Sequence, residues 1–279
     1  MQKDQLFTRR RMLLAGAAAL GAAGTAGAVL AAVGGEETAR SATPPAAGPQ
    51  ARQALAPSAY RLQPITGWGP PRTGPRRLKV RTQPILQVSG TGRHMVLTFD
   101  DGPHPEYTPH ILDTLAKYDV RAMFFVCGEC VVDNRKLVAR MAEEGHVVGN
   151  HTWTHPLLTT LGRKEIRSEM ERTSAVIEDT YGERPQWFRA PYGAWNRAAF
   201  QLGAEMGMEP MAWTVDTTDW MEPGARTIVE QVKNGAAPGV VVLSHDAGGD
   251  RSQTVGAIRE WLPYLIDSGY HLVVPPRRV

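Results

Sequence analysis

The chain has 279 residues, of which 42% are hydrophobic and 21% charged, as is ordinary for a soluble globular protein of one or two domains. The net charge of +3 conceals an asymmetry: residues 1–93 hold 13 Lys/Arg against 3 Asp/Glu, and residues 94–279 hold 18 against 25. A nucleic-acid-binding protein would carry its basic surface on the folded part, so this class is excluded.

Residues 1–35 are predicted to be an export signal or a membrane anchor. Arg9, Arg10 and Arg11 precede an Ala/Gly-rich run that reaches Gly35 without a charged residue. Basic residues before a weakly apolar segment are typical of export signals, and paired arginines indicate the twin-arginine route. The run is also long enough to cross a bilayer if it stays uncleaved. Either alternative predicts an extracellular or cell-wall-associated protein, secreted or membrane-anchored.

Residues 36–92 are predicted to be a linker. They are rich in Pro, Ala, Gly and Arg and show no sustained hydrophobic period, and such a composition cannot bury enough apolar surface to fold alone. We expect only Leu78–Val88 to order against the following domain. The positive charge would allow contact with a membrane or an anionic cell-wall polymer, although a merely solvated linker is the favoured alternative.

Strands and helices alternate after residue 93. Helix-forming patterns extend from Thr108, a predicted N-cap followed by proline, to Tyr118, and over Arg163–Tyr181 and Gln253–Ser268. This alternation predicts an α/β fold of parallel βα units. A barrel is favoured over an open nucleotide-binding sheet, because no Gly-rich phosphate loop follows the first strand. The seven predicted strands are Met95–Phe99, Ala122–Val126, His146–Gly149, Trp187–Arg189, Met208–Trp213, Val240–Leu243 and Tyr270–Val274.

Polar and ionisable residues directly follow most of the predicted strands. They are Asp100 and Asp101 after the first, Asn150, His151 and His155 after the third, Arg189, Pro191 and Tyr192 after the fourth, Asp216, Asp219 and Trp220 after the fifth, and Ser244, His245 and Asp246 after the sixth. The residues after strand ends form one shared mouth in βα barrels, where the chemistry takes place. An isolated Asp-Asp-Gly would favour an Asx turn, but this concentration favours a functional site.

The sequence resembles the polysaccharide deacetylase family, the carbohydrate esterases with a NodB-homology domain. Five ordered motifs carry the resemblance, namely TFDDG at 98–102, HTWTH at 151–155, RAPY at 189–192, DTTDW at 216–220 and LSHD at 243–246. The resemblance implies a distorted (β/α)7 barrel of the NodB-homology type over residues 93–279. It also implies metal-dependent removal of N- or O-acetyl groups from a glycan.

His151 and His155 are four residues apart, a spacing that brings two imidazoles to one side of a helical turn. With one carboxylate they would form a ligand set with open positions, suited to a catalytic divalent metal. The resemblance implies that Asp101 is this carboxylate. We expect one divalent metal, with zinc favoured and cobalt, nickel or manganese as alternatives.

The resemblance also implies the catalytic roles. Asp100 would be the general base, with Arg189 as its ion-pair partner. Tyr192 would donate its backbone N–H to the oxyanion, its ring being only a wall of the groove. His245 would be the general acid that protonates the leaving amine, with its pKa raised by Asp219.

For three further residues, a structural role is as good an explanation as a functional one. Trp220 and Leu243 would form apolar walls around the acetyl methyl group, with core packing as the alternative for both. Asp246 lies beside His245, but capping of the following Gly-rich turn explains it equally well.

Cys127 and Cys130 allow at most one intrachain bridge. They follow the second strand, lie outside the five motifs and have no second cysteine pair with which to bind zinc. In an exported protein we favour a structural disulfide over two free thiols.

These expectations combine into one function. The sequence predicts a monomeric, exported, metal-dependent deacetylase that hydrolyses N-acetyl groups of GlcNAc residues in peptidoglycan or chitin-type oligomers. The alternatives are an O-acetyl esterase acting on xylan, a non-catalytic glycan-binding cell-wall protein, and a metallo-phosphoesterase, which would usually need a richer ligand set for two metals.

Overall fold

The structure is a computed structural model that describes residues 78–88 and 92–275. The predicted export signal at 1–35 and most of the predicted linker lie outside the described residues. No helix within residues 78–88 and 92–275 is long and apolar enough to cross a membrane.

Parallel strands form one curved sheet in the described region, in the order β5-β4-β3-β2-β1-β7-β6, and β8 pairs with the start of β1. The strands are β1 His94–Asp100, β2 Met123–Val126, β3 Val147–Asn150, β4 Trp187–Phe188, β5 Glu209–Pro210, β6 Val215–Asp216, β7 Val241–His245 and β8 His271–Leu272. The helices are α1 Thr108–Lys117, α2 Gly128–Asp133, α3 Arg135–Glu143, α4 Arg163–Tyr181, α5 Arg197–Glu205, α6 Ala225–Gly235 and α7 Ser252–Asp267. The predicted distorted (β/α)7 barrel is confirmed.

One predicted strand is divided in the structure. The sequence predicts a single strand over Met208–Trp213, but β5 and β6 lie at opposite ends of the sheet order. Pro210 has no N–H to donate, which confines β5 to an edge. The chain then crosses to the other edge, where the Thr214 N–H donates to the Val241 carbonyl over 3.0 Å. The single-strand prediction is therefore wrong.

The start of α1 also differs from the prediction. Tyr107 is the N-cap residue, and Thr108 is already helical. The Thr108 hydroxyl donates to the carboxylate of Asp246 and accepts from the His104 N–H. The predicted N-cap role of Thr108 is wrong, because its hydroxyl oxygen accepts the N–H of His104, which precedes the helix, and no N–H of the first turn.

Strand β1 separates two apolar layers. Its odd-numbered residues, including Leu97, belong to the layer between sheet and helices, whereas Val96 belongs to the layer inside the barrel. Side chains alternate along a strand, so Thr98 and Asp100 share the inner face with Val96. The inner face of β1 therefore carries Asp100 to the carboxyl end of the barrel.

The segment Leu78–Val88 pairs with the residues that follow β5 and with those that precede β7. Ile85 pairs with Met211, and Gln87 pairs with Val240. The Ile85 N–H donates to the Pro210 carbonyl, and the Ala212 N–H donates to the Ile85 carbonyl, both over 2.8 Å. The expected ordering of Leu78–Val88 against the domain is observed.

Candidate metal centre and active site

Asp101, His151 and His155 come together at the carboxyl end of the barrel. One ligand atom from each residue lies within 4.8 Å of the others. Asp101 Oδ1 lies 3.4 Å from His151 Nε2 and 3.2 Å from His155 Nε2, and this buried oxygen has no hydrogen-bond partner. A buried carboxylate oxygen that faces two imidazole nitrogens without a hydrogen bond is the donor set of a divalent cation. The three residues therefore fit the expected metal.

The protonation states of this cluster also suit a cation. His151 Nδ1 lies 2.9 Å from the Arg189 carbonyl, and because a carbonyl only accepts, Nδ1 carries a proton and Nε2 is the nitrogen that would bind a metal. Burial and the neighbouring His151 lower the pKa of His155 to about 4. Burial would raise the pKa of Asp101, but the two imidazoles hold it below its usual range. A carboxylate and two neutral imidazoles are the forms that bind metals.

Asp100 is held by a fully buried arginine. Arg189 Nη1 donates to Asp100 Oδ1 over 2.6 Å and to Thr98 Oγ1 over 2.8 Å. Its Nε and Nη2 donate to the carbonyls of Met211 and Ala212 over 3.1 and 2.9 Å. Burial lowers the pKa of Arg189, and the charge of Asp100 opposes this effect. Removing Arg189 would leave a buried charge unpaired, which typically costs about 3–5 kcal/mol.

His245, which is partly buried, and the buried Asp219 form a second pair beside Asp100. His245 is the register partner of Asp100 across β1 and β7. Asp219 Oδ1 lies 2.7 Å from His245 Nδ1, and Asp219 Oδ2 accepts the His245 backbone N–H over 2.8 Å. Burial alone would lower the pKa of His245, but pairing with Asp219 raises it to about 9. His245 is therefore charged at neutral pH, and its Nε2–H is the proton available for transfer.

Comparison with known proteins identifies the family. The sequence model of the family described as Polysaccharide deacetylase matches residues 87–211. A chitooligosaccharide deacetylase of Rhizobium leguminosarum bv. trifolii is 38% identical over 208 residues, which are 71% of this chain and 97% of that enzyme. The chain belongs to the polysaccharide deacetylase family. The family match ends before Asp219 and His245, and the structure brings this pair to the same end of the barrel as the matched motifs.

Other relatives in the polysaccharide deacetylase family differ in length and activity. A peptidoglycan N-acetylglucosamine deacetylase of Listeria monocytogenes is 38% identical over 190 residues, which are 68% of this chain but only 40% of that enzyme. The structure of a Bacillus subtilis peptidoglycan deacetylase is similar with a TM-score of 0.61 at 40% identity, covering 66% of this chain and 89% of that one. A family pseudoenzyme from Bacillus anthracis is similar with a TM-score of 0.65 at 31% identity, covering 70% and 67%. The fold alone therefore does not separate active from inactive members.

Left-handed backbone conformations concentrate at the mouth of this family member. Such conformations cost of order 1–3 kcal/mol each for residues other than glycine, and they persist only where the surroundings enforce them. Their positions support a functional role for this end of the barrel. The residues are Asp101 (φ 74°), Thr152 (71°), His155 (56°), Tyr192 (61°), Thr218 (48°) and Glu222 (55°), and the remaining such residue in the described region is Asp119 (51°), which follows α1.

The predicted substrate-binding residues occupy different environments. Tyr192 and Trp220 are 68% and 45% exposed, whereas Leu243 is only 3% exposed. The Tyr192 ring packs edge-on against His155 with 4.6 Å between ring centroids, which places it beside the cluster of Asp101, His151 and His155. Trp220 lies in the 3-10 turn Asp219–Met221, directly after the partner of His245. The burial of Leu243 is compatible with either of its two expected roles.

Asp246 supports the loop that carries Asp101. It is fully buried, its Oδ2 accepts the Thr108 hydroxyl, and its backbone N–H donates to the Asp100 carbonyl over 3.1 Å. A Cβ atom at Gly102 would lie 2.2 Å from Asp246 Oδ2, so the turn approaches this carboxylate more closely than a side chain would allow. The sequence analysis gave Asp246 no definite role. The glycine at position 102 of the first motif was the signal available for it, because a larger residue there would collide with this carboxylate.

Cys127 and Cys130 are free thiols, so the favoured disulfide is wrong. Cys127 is buried with its sulfur 3.8 Å from the His151 carbonyl, and it therefore packs beneath the site. Its backbone N–H donates to the Gly102 carbonyl over 3.0 Å. Burial raises the pKa of Cys127 far above its usual value and that of Cys130 to about 12. Both side chains thus stay protonated, and Cys127 supports the loops that carry Gly102 and His151.

Proposed function

We propose that this chain is an exported, metal-dependent deacetylase that hydrolyses N-acetyl groups of GlcNAc residues in peptidoglycan or chitin-type oligomers. The observation that carries the proposal is the convergence of a metal-ligand set, a buried aspartate–arginine pair and a charged histidine at one end of the barrel. Family relatives named for N-deacetylation of peptidoglycan and chitooligosaccharides support the same substrate class.

Asp100 is the general base in this proposal. A divalent cation bound by Asp101, His151 and His155 would polarise the acetyl carbonyl and make a water molecule more acidic. Asp100 Oδ2 lies 3.7 Å from His151 Nε2, so this oxygen is next to the cluster. The other oxygen, Oδ1, is held by Arg189. Oδ2 is therefore the atom that accepts the proton of the attacking water.

His245 is the general acid on the neighbouring strand. Its Nδ1 is held by Asp219, which leaves Nε2–H to protonate the amine as the carbon–nitrogen bond breaks. The deprotonated sugar amine is a very poor leaving group, so hydrolysis of the N-acetyl amide requires this proton. The charged state of His245 at neutral pH supports the assignment.

Tyr192, Trp220 and Leu243 would contact the substrate. The backbone N–H of Tyr192 would donate to the oxyanion beside the cation. The half-exposed Trp220 and the buried Leu243 would enclose the acetyl methyl group, since apolar side chains fix the position of a small apolar group without binding it chemically.

Acetate release from a panel of glycans tests this function. The panel contains chitooligosaccharides, peptidoglycan and acetylated xylan, and metal content is measured on the same purified sample. We expect release from one of the GlcNAc polymers and one bound metal per chain. Release from xylan alone would favour the O-acetyl esterase, and two metals per chain would favour a phosphoesterase.

A non-catalytic glycan-binding protein is the second candidate, favoured by the similarity to the Bacillus anthracis pseudoenzyme. The two functions differ in one comparison, that of the purified protein with its Asp100→Asn variant. If the protein is a catalyst, the unsubstituted protein releases acetate and the variant does not. If it is a binding protein, both forms bind glycan and neither releases acetate.

Export by the twin-arginine route is a separate proposal, supported by the arginines that precede the Ala/Gly-rich run. Replacing Arg9 and Arg10 together by lysine should keep the positive charge but retain the protein in the cytoplasm. Cell fractionation with immunoblotting measures this. Unchanged export of the double variant would contradict the twin-arginine route.

A further inference from the structure

The first turn of α7 contacts the carboxylate of Asp219. Thr254 is 1% exposed, and its hydroxyl donates to Asp219 Oδ2 over 2.7 Å. The same oxygen accepts the His245 backbone N–H over 2.8 Å, and Asp219 Oδ1 pairs with His245 Nδ1 over 2.7 Å. Both oxygens of this carboxylate are therefore held, and the only side-chain hydroxyl among these donors comes from Thr254.

A second residue of the same region holds the backbone of Asp219. Arg251 is 1% exposed and donates through Nη1 to the Asp219 carbonyl over 3.2 Å. It also donates to the carbonyls of Ala247 and Asp250 over 2.7 and 2.9 Å. With its backbone fixed in this way, Asp219 retains mainly the rotation of its carboxylate, and this is the motion that the Thr254 hydroxyl restrains.

We propose that Thr254 is a positioning residue for the general acid His245. Its hydroxyl fixes the plane of the Asp219 carboxylate, so that Oδ1 stays aligned with His245 Nδ1 and the imidazole stays oriented for proton transfer. The role in catalysis rests on the proposed function, in which His245 protonates the leaving amine. Thr254 is buried in α7 and acts only through Asp219.

The test compares Thr254→Val, which removes the hydroxyl at nearly constant volume, with Thr254→Ser, which keeps it. Thr114→Val is the matched control, because Thr114 is also buried but donates to the His110 carbonyl within α1. With chitooligosaccharides we expect Thr254→Val to lower kcat by at least about tenfold, the scale on which outer-shell hydrogen bonds act, with KM unchanged. Thr254→Ser and Thr114→Val should keep the kcat of the unsubstituted protein.

A spectroscopic measurement makes the test independent of activity. The His245 Nδ1–H shared with Asp219 should give a downfield proton resonance, assigned by its loss in His245→Gln. We expect Thr254→Val to shift or broaden this resonance and Thr254→Ser to preserve it. If Thr254→Val does not fold, Thr254→Ala removes the same hydroxyl and takes its place in both measurements.

Three results would overturn the proposal: an unchanged kcat and resonance in Thr254→Val, an equal loss of kcat in Thr254→Ser, or a change in KM alone. Absence of deacetylation by the unsubstituted protein would instead contradict the proposed function. In that case the resonance still decides whether Thr254 orients the pair of Asp219 and His245.

Discussion

Asp101 and Asp219 lie at the same end of the barrel, but their carboxylates have different partners. Asp101 has a buried oxygen that faces two imidazole nitrogens and accepts no hydrogen bond. Asp219 accepts the Thr254 hydroxyl and the His245 backbone N–H with one oxygen and pairs with the His245 ring through the other. The first arrangement leaves room for a cation, and the second already holds one in the imidazolium of His245. The partners of a buried carboxylate thus indicate its role.

Asp101→Asn should give the largest effect of these substitutions on metal content and acetate release, because an amide oxygen is a poor substitute for a carboxylate ligand. We expect the purified variant to lose its metal and its acetate release while it stays folded. Metal analysis, circular dichroism and the deacetylase assay measure this. Asp113→Asn is the control, since Asp113 is an exposed partner of Arg140. A variant of Asp101 that kept a full equivalent of metal would contradict the ligand role.

Asp100→Asn separates the base from its neighbouring ligand. The variant should keep its metal and lower kcat by about 10²–10⁴-fold, the usual contribution of a general base. Metal content and kcat on the same sample check this. Loss of metal with this variant and not with Asp101→Asn would mean that the two aspartates have exchanged roles.

Asp219→Asn changes the pH dependence of kcat. His245 has a pKa raised to about 9, so the acid is present below that pH and is lost as pH rises through it. Without the aspartate charge, the pKa should fall towards the ordinary value of about 6.5 or below, and the alkaline limb of kcat should move down with it. At neutral pH we expect kcat about 10²-fold lower, because the charged fraction of His245 falls and its imidazole also loses the carboxylate that orients it. An unmoved alkaline limb would show that another group sets it.

Trp220→Ala should give the smallest effect, because Trp220 is half-exposed and would contact the substrate without taking part in proton transfer. We expect KM to rise a few-fold with kcat nearly unchanged, as a loss of contacts made equally in ground and transition states requires. Tyr264→Ala is the control, since Tyr264 is similarly exposed at 43% but lies on α7. A large loss of kcat with Trp220→Ala would instead point to a role in the chemistry.

The sequence predicted the fold where apolar runs are long and failed where they are short. β1, β2 and α4 follow from clear periodicity, and α4 was predicted with its observed bounds, Arg163–Tyr181. Pro210 was a local signal that the run Met208–Trp213 lies at an edge, but the division of this run also involves the pairing of Met211 with Ile85. That residue lies 126 positions earlier in the chain, and no local pattern records such a contact.

The candidate site was predictable to the extent that its residues stand in recognisable motifs. Asp101, His151 and His155 converge as expected, and Arg189 and Asp219 contact the partners expected of them. Thr254 gave no signal, because a single threonine in a helix has no distinctive spacing. The supporting contacts of a site depend on the packing of distant elements, which a motif does not describe.

A metal titration tests the central claim most directly. The protein is stripped with a chelator, and acetate release from a chitooligosaccharide is measured as Zn²⁺ is added in fractions of an equivalent. The account predicts no release without metal and a linear rise that ends at one equivalent per chain. Full release by the stripped protein, or a rise that ends only at two equivalents, would contradict it.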